Sequence, residues 1–459
     1  MSLINNAMTG ATAAQLGLNT TSQNVANVMT PGYTRQGVLL ESMQASGLGA
    51  ASPGLGVNAK GLIRFADEYK TVHMWASNSS LGQHSAAQSY LSQIEQVLNN
   101  TTGSISTGLD NFFSALHAAS VDPTSAPLRQ QVITAAAGLG ERYNNLSDVL
   151  ANQQITLNQQ RTSSVVQVND LAASIANLNQ QITAAQATGS SVSGLIDKRD
   201  SAIDALANLV SIQQISQPDG SRSVSLATGQ PLVVGSQAAC LTLQGTASGS
   251  QTLKVQFAKE TFTMAGTQLG GALGGLSLYE QDTLHPMQQA LSTMAGDIAS
   301  SVNTQLAAGF TPAGTAGGPL FVFNPTSTSP MLTVTSGMQA NDLAFSSDAT
   351  KPGDSSNLLA LIGLHNQAVT LPSLGTMTLN DAYAQLVGWV GSTSQQNQAS
   401  LDTAQTVRTQ AEQDWKSTSG VNQDEEAMNL VQYQQMYQAN LKVITVANQL
   451  LTATLDMIQ

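Results

Sequence analysis

Charge is what this chain has least of. Asp, Glu, Lys and Arg make up 10% of its 459 residues, where an ordinary globular domain carries about 25%. The 16 basic residues run thinly from Arg35 to Lys442, and the net charge is −12. Phosphate backbones require clustered Lys and Arg, so no nucleic-acid partner is expected. The single cysteine, Cys240, can close no intramolecular disulfide and build no cysteine zinc site. No run approaches the ~20 apolar residues that span a bilayer, so no membrane partner is expected. The start of the chain has neither the basic nor the apolar segment of a secretory signal. That leaves a cytoplasmic protein, or one exported by a machine that reads something else. Aromatics are scarce at 4%, yet 41% of residues are apolar, enough to bury a core. The length suits about three domains.

What is present is Ala, Ser, Thr, Gln and Asn in helical patterns. Residues 1–34 contain no charged side chain at all. Within them Ile4, Met8, Ala11, Leu18, Val25 and Met29 fall on a 4-3 spacing that predicts one helix, about 40 Å long, with a weakly apolar face. Without ion pairs such a helix is marginal alone in water. It ends at Thr30-Pro31-Gly32-Tyr33, where Pro-Gly suits the centre of a type II turn.

The last forty residues mirror the first. Asn422 is placed as an N-cap with Glu425 closing a capping box, and Asp424 and Glu426 complement the helix dipole. Ala427, Leu430, Gln434, Tyr437, Leu441, Ile444, Asn448, Leu451, Leu455 and Ile458 then form a heptad stripe over roughly 55 Å. Neither terminal helix looks self-sufficient.

Between them, residues 127–189 read as one long helix, with Gly138 and Gly140 as bending points. Shorter helices are expected at about 79–98, 104–119, 193–209, 286–308 and 380–416. Similar apolar stripes pack most easily as an elongated bundle. Residues 211–265 alternate with period two and carry turn signals such as Pro218-Asp219-Gly220, marking an inserted β domain. A strand pair is expected near 320–323 and 331–334, in a loop-rich cap on the bundle. The fold is therefore mainly α with an inserted β domain: an elongated helical bundle whose terminal helices form a coiled coil on assembly. Its parts are 1–60 and 419–459 as the two halves of an inner assembly domain, 61–210 and 269–418 as bundle, and 211–268 as the β insertion.

The chain offers no active site. His73, His84, His117, His285 and His365 include no metal-binding pair spacing, and no catalytic residue, metal ligand or cofactor is expected. Gly270 to Gly275 lacks the Lys-Ser/Thr of a phosphate loop and reads as a flexible return from the β domain. Cys240 reads as a buried structural thiol, and Lys198-Arg199-Asp200 as a solvated helix face, with a fixed salt-bridge network at the bundle end as the alternative. Asn24 and Asn27 read either as exposed helix positions or as hydrogen-bonding groups between subunits.

Ser22, Asn24, Val25, Ala26 and Asn27, followed by Thr30-Pro31-Gly32-Tyr33, resemble the N-terminal signature of axial proteins of the bacterial flagellum. Leu195-Ile196-Asp197-Lys198-Arg199-Asp200 precedes a β segment with Gly229-Gln230-Pro231-Leu232-Val233-Val234-Gly235. Leu273-Gly274-Gly275-Leu276 then leads to Asn303-Thr304-Gln305 and Ala308-Gly309-Phe310. Ser419-Gly420-Val421-Asn422-Gln423-Asp424-Glu425-Glu426 opens the last helix. In this order they are similar to the hook-associated family at the hook–filament junction. Two departures are a short central insertion and Gln423 where a leucine is often seen.

The resemblance implies a structural, non-enzymatic adaptor that self-assembles helically on the hook tip around a central channel. Its terminal helices would pair in an inner coiled coil and be disordered in the isolated subunit. It also implies secretion through the flagellar type III apparatus, with an export chaperone on the C-terminal segment. The implied neighbours are other copies of the chain, the hook protein and the second junction protein, hook-associated protein 3. Ile4, Met8, Ala11, Leu18, Asn24, Asn27, Pro31, Gly32 and Tyr33 would meet Asn422, Glu425, Leu430, Tyr437, Leu441, Ile444, Asn448, Leu451, Leu455 and Ile458 in the assembly interface. A secreted helical adhesin or effector displaying the β domain is the alternative.

Overall fold

The computed structural model describes residues 2–43, 54–100, 103–245, 251–325, 330–371 and 375–457. The charge-free N-terminal segment is helix α1 (Ser2–Ala26), and a hairpin not anticipated from sequence follows it: β1 (Gln36–Ser42) and β2 (Val57–Arg64) pair antiparallel. β2 crosses the boundary expected at 60/61. Four helices come next: α2 (Glu68–Leu98), α3 (Ile105–Val121), α4 (Ala126–Ala187) and α5 (Ser193–Leu209). α2 starts eleven residues before the apolar repeat suggests, because the Asp67 carboxylate caps it by accepting from the Lys70 N–H at 3.1 Å. α4 is 62 residues long, about 93 Å at 1.5 Å per residue.

The period-two region forms two antiparallel sheets. One runs β3 (Ile212–Ser216), β4 (Arg222–Leu226), β5 (Pro231–Val234), β6 (Gln237–Ala238); the other runs β7 (Cys240–Gly245), β8 (Gln251–Phe257), β9 (Glu260–Met264). The bundle resumes with α6 (Gly271–Tyr279), one π-helical turn (Glu280–Leu284) and α7 (His285–Ala307). Then come β10 (Phe321–Phe323), β11 (Leu332–Val334), α8 (Ser356–Gly363), β12 (Ala368–Leu371), β13 (Gly375–Thr378) and α9 (Leu379–Ser419). The chain closes with α10 (Gln423–Asp456).

α4 spans two apolar cores. Its first half buries Val132, Leu139 and Leu157 among Phe112 of α3, Met287 and Ile298 of α7 and Leu386 of α9. Leu320, Phe321, Leu332 and Phe345, from the stretch read as a cap, join that same core. Its second half buries Val168 and Ile175 against Ile203 and Leu206 of α5 and against Val224, Leu241 and Val255 of the sheets. Each such side chain contributes about 1.5–3 kcal/mol by leaving water. Where α6 passes into α7, the π turn is fixed by a buried Arg161–Glu280 ion pair at 2.6 Å.

Three expectations from sequence are corrected by packing. Gly138 and Gly140 do not interrupt α4; Gly140 instead lets the Leu332 carbonyl approach, since a Cβ there would lie 2.8 Å from it. The run Gly270 to Gly275 is not a flexible return: Gly271 to Gly275 are the start of α6, and Gly275 lies so close to α2 that a Cβ would fall 2.0 Å from the Gln83 carbonyl. Cys240 is exposed, because β7 turns Leu241 inward and its neighbour outward.

The glycine contact yields a paired prediction. Gly275→Ala forces two backbones apart and should destabilise the chain by about 2 kcal/mol, read as a lowered urea midpoint. Gly388→Ala, in α9 with nothing within 4 Å of the added methyl, should raise the midpoint through helix propensity by up to about 1 kcal/mol.

Candidate assembly interface

α1 and α10 pack on each other antiparallel: Gly10 meets the Asn440 side chain and Gly17 meets the Tyr433 ring. A Cβ at either glycine would lie 2.6 Å from its neighbour, so the helices are as close as glycine allows. The buried face of α1 is made of Ala7, Ala11, Ala13, Ala14, Gly17, Thr20, Thr21 and Asn24. It is a stripe of small residues, not the larger apolar stripe expected. The matching face of α10 carries buried Glu426 and Ala447, with Asn429, Tyr433, Asn440 and Ile444 half-buried.

That registry leaves the larger apolar residues outside. On α1, Ile4 and Leu18 are half-buried, Ala11 is buried and Met8 is 59% exposed. On α10, Tyr437 and Ile444 are half-buried, whereas Leu430, Leu441 and Asn448 are exposed. Leu451 and Leu455 are 55% and 57% exposed. Ile458 lies outside the described residues. The expected heptad stripe is thus offset by about one residue from the seam that closes within the chain. Met428, Val431, Val446 and Leu450 extend the exposed surface.

At the upper end of the pair the chain turns into the bundle. Pro31 is exposed, and Gly32, at φ +75, completes the expected type II turn with Tyr33 N–H bonded to the Thr30 carbonyl at 3.2 Å. Asn24 is neither exposed nor directed outward. It is 1% exposed; its Nδ2 donates to the Gln36 carbonyl at 2.8 Å, and its Oδ1 accepts from Gln36 N–H at 3.1 Å and Tyr33 Oη at 2.9 Å. Asn24 therefore clamps β1 against α1. Asn27 is half-buried; its Nδ2 donates to the Gln23 carbonyl one turn back, and its Oδ1 accepts from Thr30 Oγ1 at 3.2 Å. Burial raises the Tyr33 pKa, and the negative charges of Asp197 and Glu426 add to that shift.

Asn422 caps α10 by accepting from the Asp424 and Glu425 N–H groups. Glu425 does not close the capping box; its carboxylate pairs with Arg35 across the joint. Lys198-Arg199-Asp200 is also not a solvated face. Arg199 and Asp197 are buried, and Arg64 of β2 bridges Asp197 at 2.7 Å and Asp200 at 3.1 Å. Arg199 donates to the Gly220 carbonyl at 2.8 Å, and burial lowers its pKa. Arg222 joins Asp200 and Glu68, and its guanidinium lies over the Trp75 ring at 5.2 Å. Arg408 of α9 holds Asp204 of α5 at 2.8 Å, and burial nonetheless raises the Asp204 pKa.

Sequence reasoning missed the small-residue seam and the hairpin, and held the ionic joint only as the alternative reading of Lys198-Arg199-Asp200. The 4-3-3-4-3 spacing of Ala7, Ala11, Ala14, Gly17, Thr21 and Asn24 is present in the sequence, but residues so small carry little hydropathy. Among the described residues, no cluster of His, Cys, Asp and Glu could hold a metal ion, and no helix is long and apolar enough to cross a membrane. The arrangement leaves an apolar surface exposed on the helix pair.

The comparisons agree with that geometry. The family description "Flagellar hook-associated protein FlgK helical domain" matches residues 91–321. Residues 4–34 match "Flagella basal body rod protein", and residues 416–457 match "Flagellar basal body rod FlgEFG protein C-terminal". The chain is 28% identical to flagellar hook-associated protein 1 of Escherichia coli (strain K12), over 99% of this chain and 100% of that protein. It is 27% identical to the Bacillus subtilis (strain 168) protein of the same name, over 97% and 96%. The solved structure of the flagellar hook junction protein FlgK from Burkholderia pseudomallei aligns at TM-score 0.65 and 19% identity, covering 75% of this chain and 100% of that one.

Replacing Asn24 with Ala strips partners from buried groups at about 1–3 kcal/mol each. Amide exchange at Gln36 should then rise about a hundredfold. Asn27→Ala should leave that amide unchanged, since it removes only two exposed bonds within the end of α1 and the turn.

Proposed function

Because this chain belongs to the FlgK family of flagellar hook-associated proteins, we propose that it acts as a structural adaptor whose copies array helically on the hook tip and receive the filament. The observation that supports this reading is the exposed apolar surface of the α1–α10 pair. The pair's own seam uses small and polar residues, so Met8, Leu441, Leu451 and Leu455 remain for contacts outside the subunit. Exposed apolar patches of this extent mark interaction sites. In this reading unlike faces of the pair meet between successive copies. Heterologous contacts of this kind propagate as a helix instead of closing into a dimer.

The same surface gives each partner a place. Copies of the chain would cover the flanks of the pair; the hook protein would meet one end of the array and hook-associated protein 3 the other. Before assembly, α10 carries its apolar stripe uncovered, which suits an export chaperone bound to the C-terminal segment during type III export to the extracellular hook–filament junction. An adhesin needs one anchoring helix. Here both chain ends converge in one pair, which favours the adaptor over the adhesin reading.

Deleting residues 422–459 should leave a folded, soluble bundle, because both cores lie outside that segment. Cells carrying the deletion should be non-motile and shed filament subunits into the medium, checked by swimming assays and electron microscopy. Filaments of normal length on those cells would reject the adaptor role.

A further inference from the structure

The terminal helices hold one cation between them: neither α1 nor α10 contains any Lys or Arg except Lys442. Lys442 is exposed and makes no ion pair among the described residues. It lies two residues from Asn440, which faces α1. Two residues correspond to about 200° around a helix, so Lys442 projects from the side of α10 opposite the seam.

Its complement sits on the seam side. A cavity of about 240 Å³ lies where α1, the hairpin and α10 meet, lined in part by Thr20, Thr21, Arg35, Glu426 and Asn429. Asn429 and other lining residues are half-buried, so the cavity reaches the surface. Glu426 is 2% exposed, and its Oε2 is buried with no hydrogen-bond partner. Arg35 is already engaged by Glu425 and stacks on Phe65 at 4.5 Å. Arg35 and Glu426 line the same cavity without bonding each other, and the Arg35 Nε is likewise buried without a partner. With Glu425 held by Arg35, two carboxylates stand against one guanidinium and the group carries a net negative charge. Such a group is costly until an opposite charge reaches it.

We propose that this cavity receives the Lys442 ammonium of a second copy of the chain, which donates to Glu426 Oε2. The inference rests on the assembly reading above and specifies one of its contacts. Knob and hole lie on different sides of the same helix pair, so each copy offers both and the contact propagates. Glu426 and Lys442 are sixteen residues apart on α10, about 24 Å of helix. Successive copies in this contact are therefore staggered along the helix axis by about that distance when their helices run parallel.

The test uses the full chain and measures the concentration at which it polymerises, by sedimentation velocity. Lys442→Gln and Glu426→Gln should each raise that concentration about tenfold or more, the loss expected for one charge-assisted hydrogen bond. The double variant should be no worse than either single one, because both remove the same contact. Circular dichroism spectra should match the parent chain. Carbodiimide treatment of polymers mixed from ¹⁵N-labelled and unlabelled chains should join Lys442 to Glu426 across isotopes. Polymerisation unchanged in both variants, or a cross-link from Lys442 to Asp424 instead, would overturn this contact while leaving the assembly reading standing. A parent chain that stays monomeric at every concentration would remove both.

Discussion

The closeness of α1 to α10 governs the rest of the terminal region. Two helices can approach to glycine distance only by facing each other with small side chains. α1 does so with Ala7, Ala11, Ala14 and Gly17, against Tyr433 and Asn440. Once those positions are committed inward, helical geometry turns Met8 outward, and on the partner helix it turns out Leu441, Leu451 and Leu455. A seam built from the larger apolar residues would have made a more stable pair and left a polar exterior with nothing to offer. The pair is thus weaker within the chain and apolar on its outside, a single consequence of which residues are small.

Such a pair needs to be held at a defined angle to the bundle, and the chain's few charges are gathered there. Arg35, Arg64, Arg199, Arg222 and Arg408 are five of its eight arginines, and all five meet carboxylates around the joint. Buried ion pairs add little net stability because desolvation offsets their attraction. What they impose is geometry: a guanidinium placed between Asp197 and Asp200 tolerates few alternatives. Asn24 acts in the same way with neutral groups, fixing the hairpin to α1 through two bonds to Gln36 and the preceding turn through one to Tyr33. The joint is specified by polar groups where the bundle is specified by apolar ones.

The bundle was legible from sequence because its signal is hydropathic. Val168, Leu171 and Ile175 announce α4, and Met287, Leu291, Met294 and Ile298 announce α7, since large apolar residues at helical spacing have few other uses. The period-two alternation of 211–265 announced strands for the same reason, although nothing in it divided them into two sheets. The joint was legible only as the less favoured of two readings. Lys198-Arg199-Asp200 has the composition of a solvated face, and only the approach of Arg64 and Gly220 from distant segments makes it a core. Gly275 reads as flexibility until α2 is placed 2.0 Å from where its side chain would begin. Cys240 was misplaced because Ala238 and Ala239 suggest burial, while strand alternation decides it.

Legibility of the terminal helices was partial in an informative way. Their existence, length and polarity followed from the 4-3 spacing, but the side that closes within the chain did not. Hydropathy selects the stripe with the largest apolar residues, and in a self-contained protein that stripe faces the core. Here it faces away. A mismatch between the most apolar stripe and the buried stripe is itself a physical signature: a helix obeying only its own chain's stability would rotate by about one residue, 100°, and bury Leu441 in place of Asn440. What opposes that rotation is Asn24, Arg35 and Glu425, whose bonds set the azimuth of both helices at the joint end. The polar joint therefore determines which apolar surface is exposed, which makes the turn at Pro31 to Gln36 as much a part of the adhesive surface as the leucines that form it.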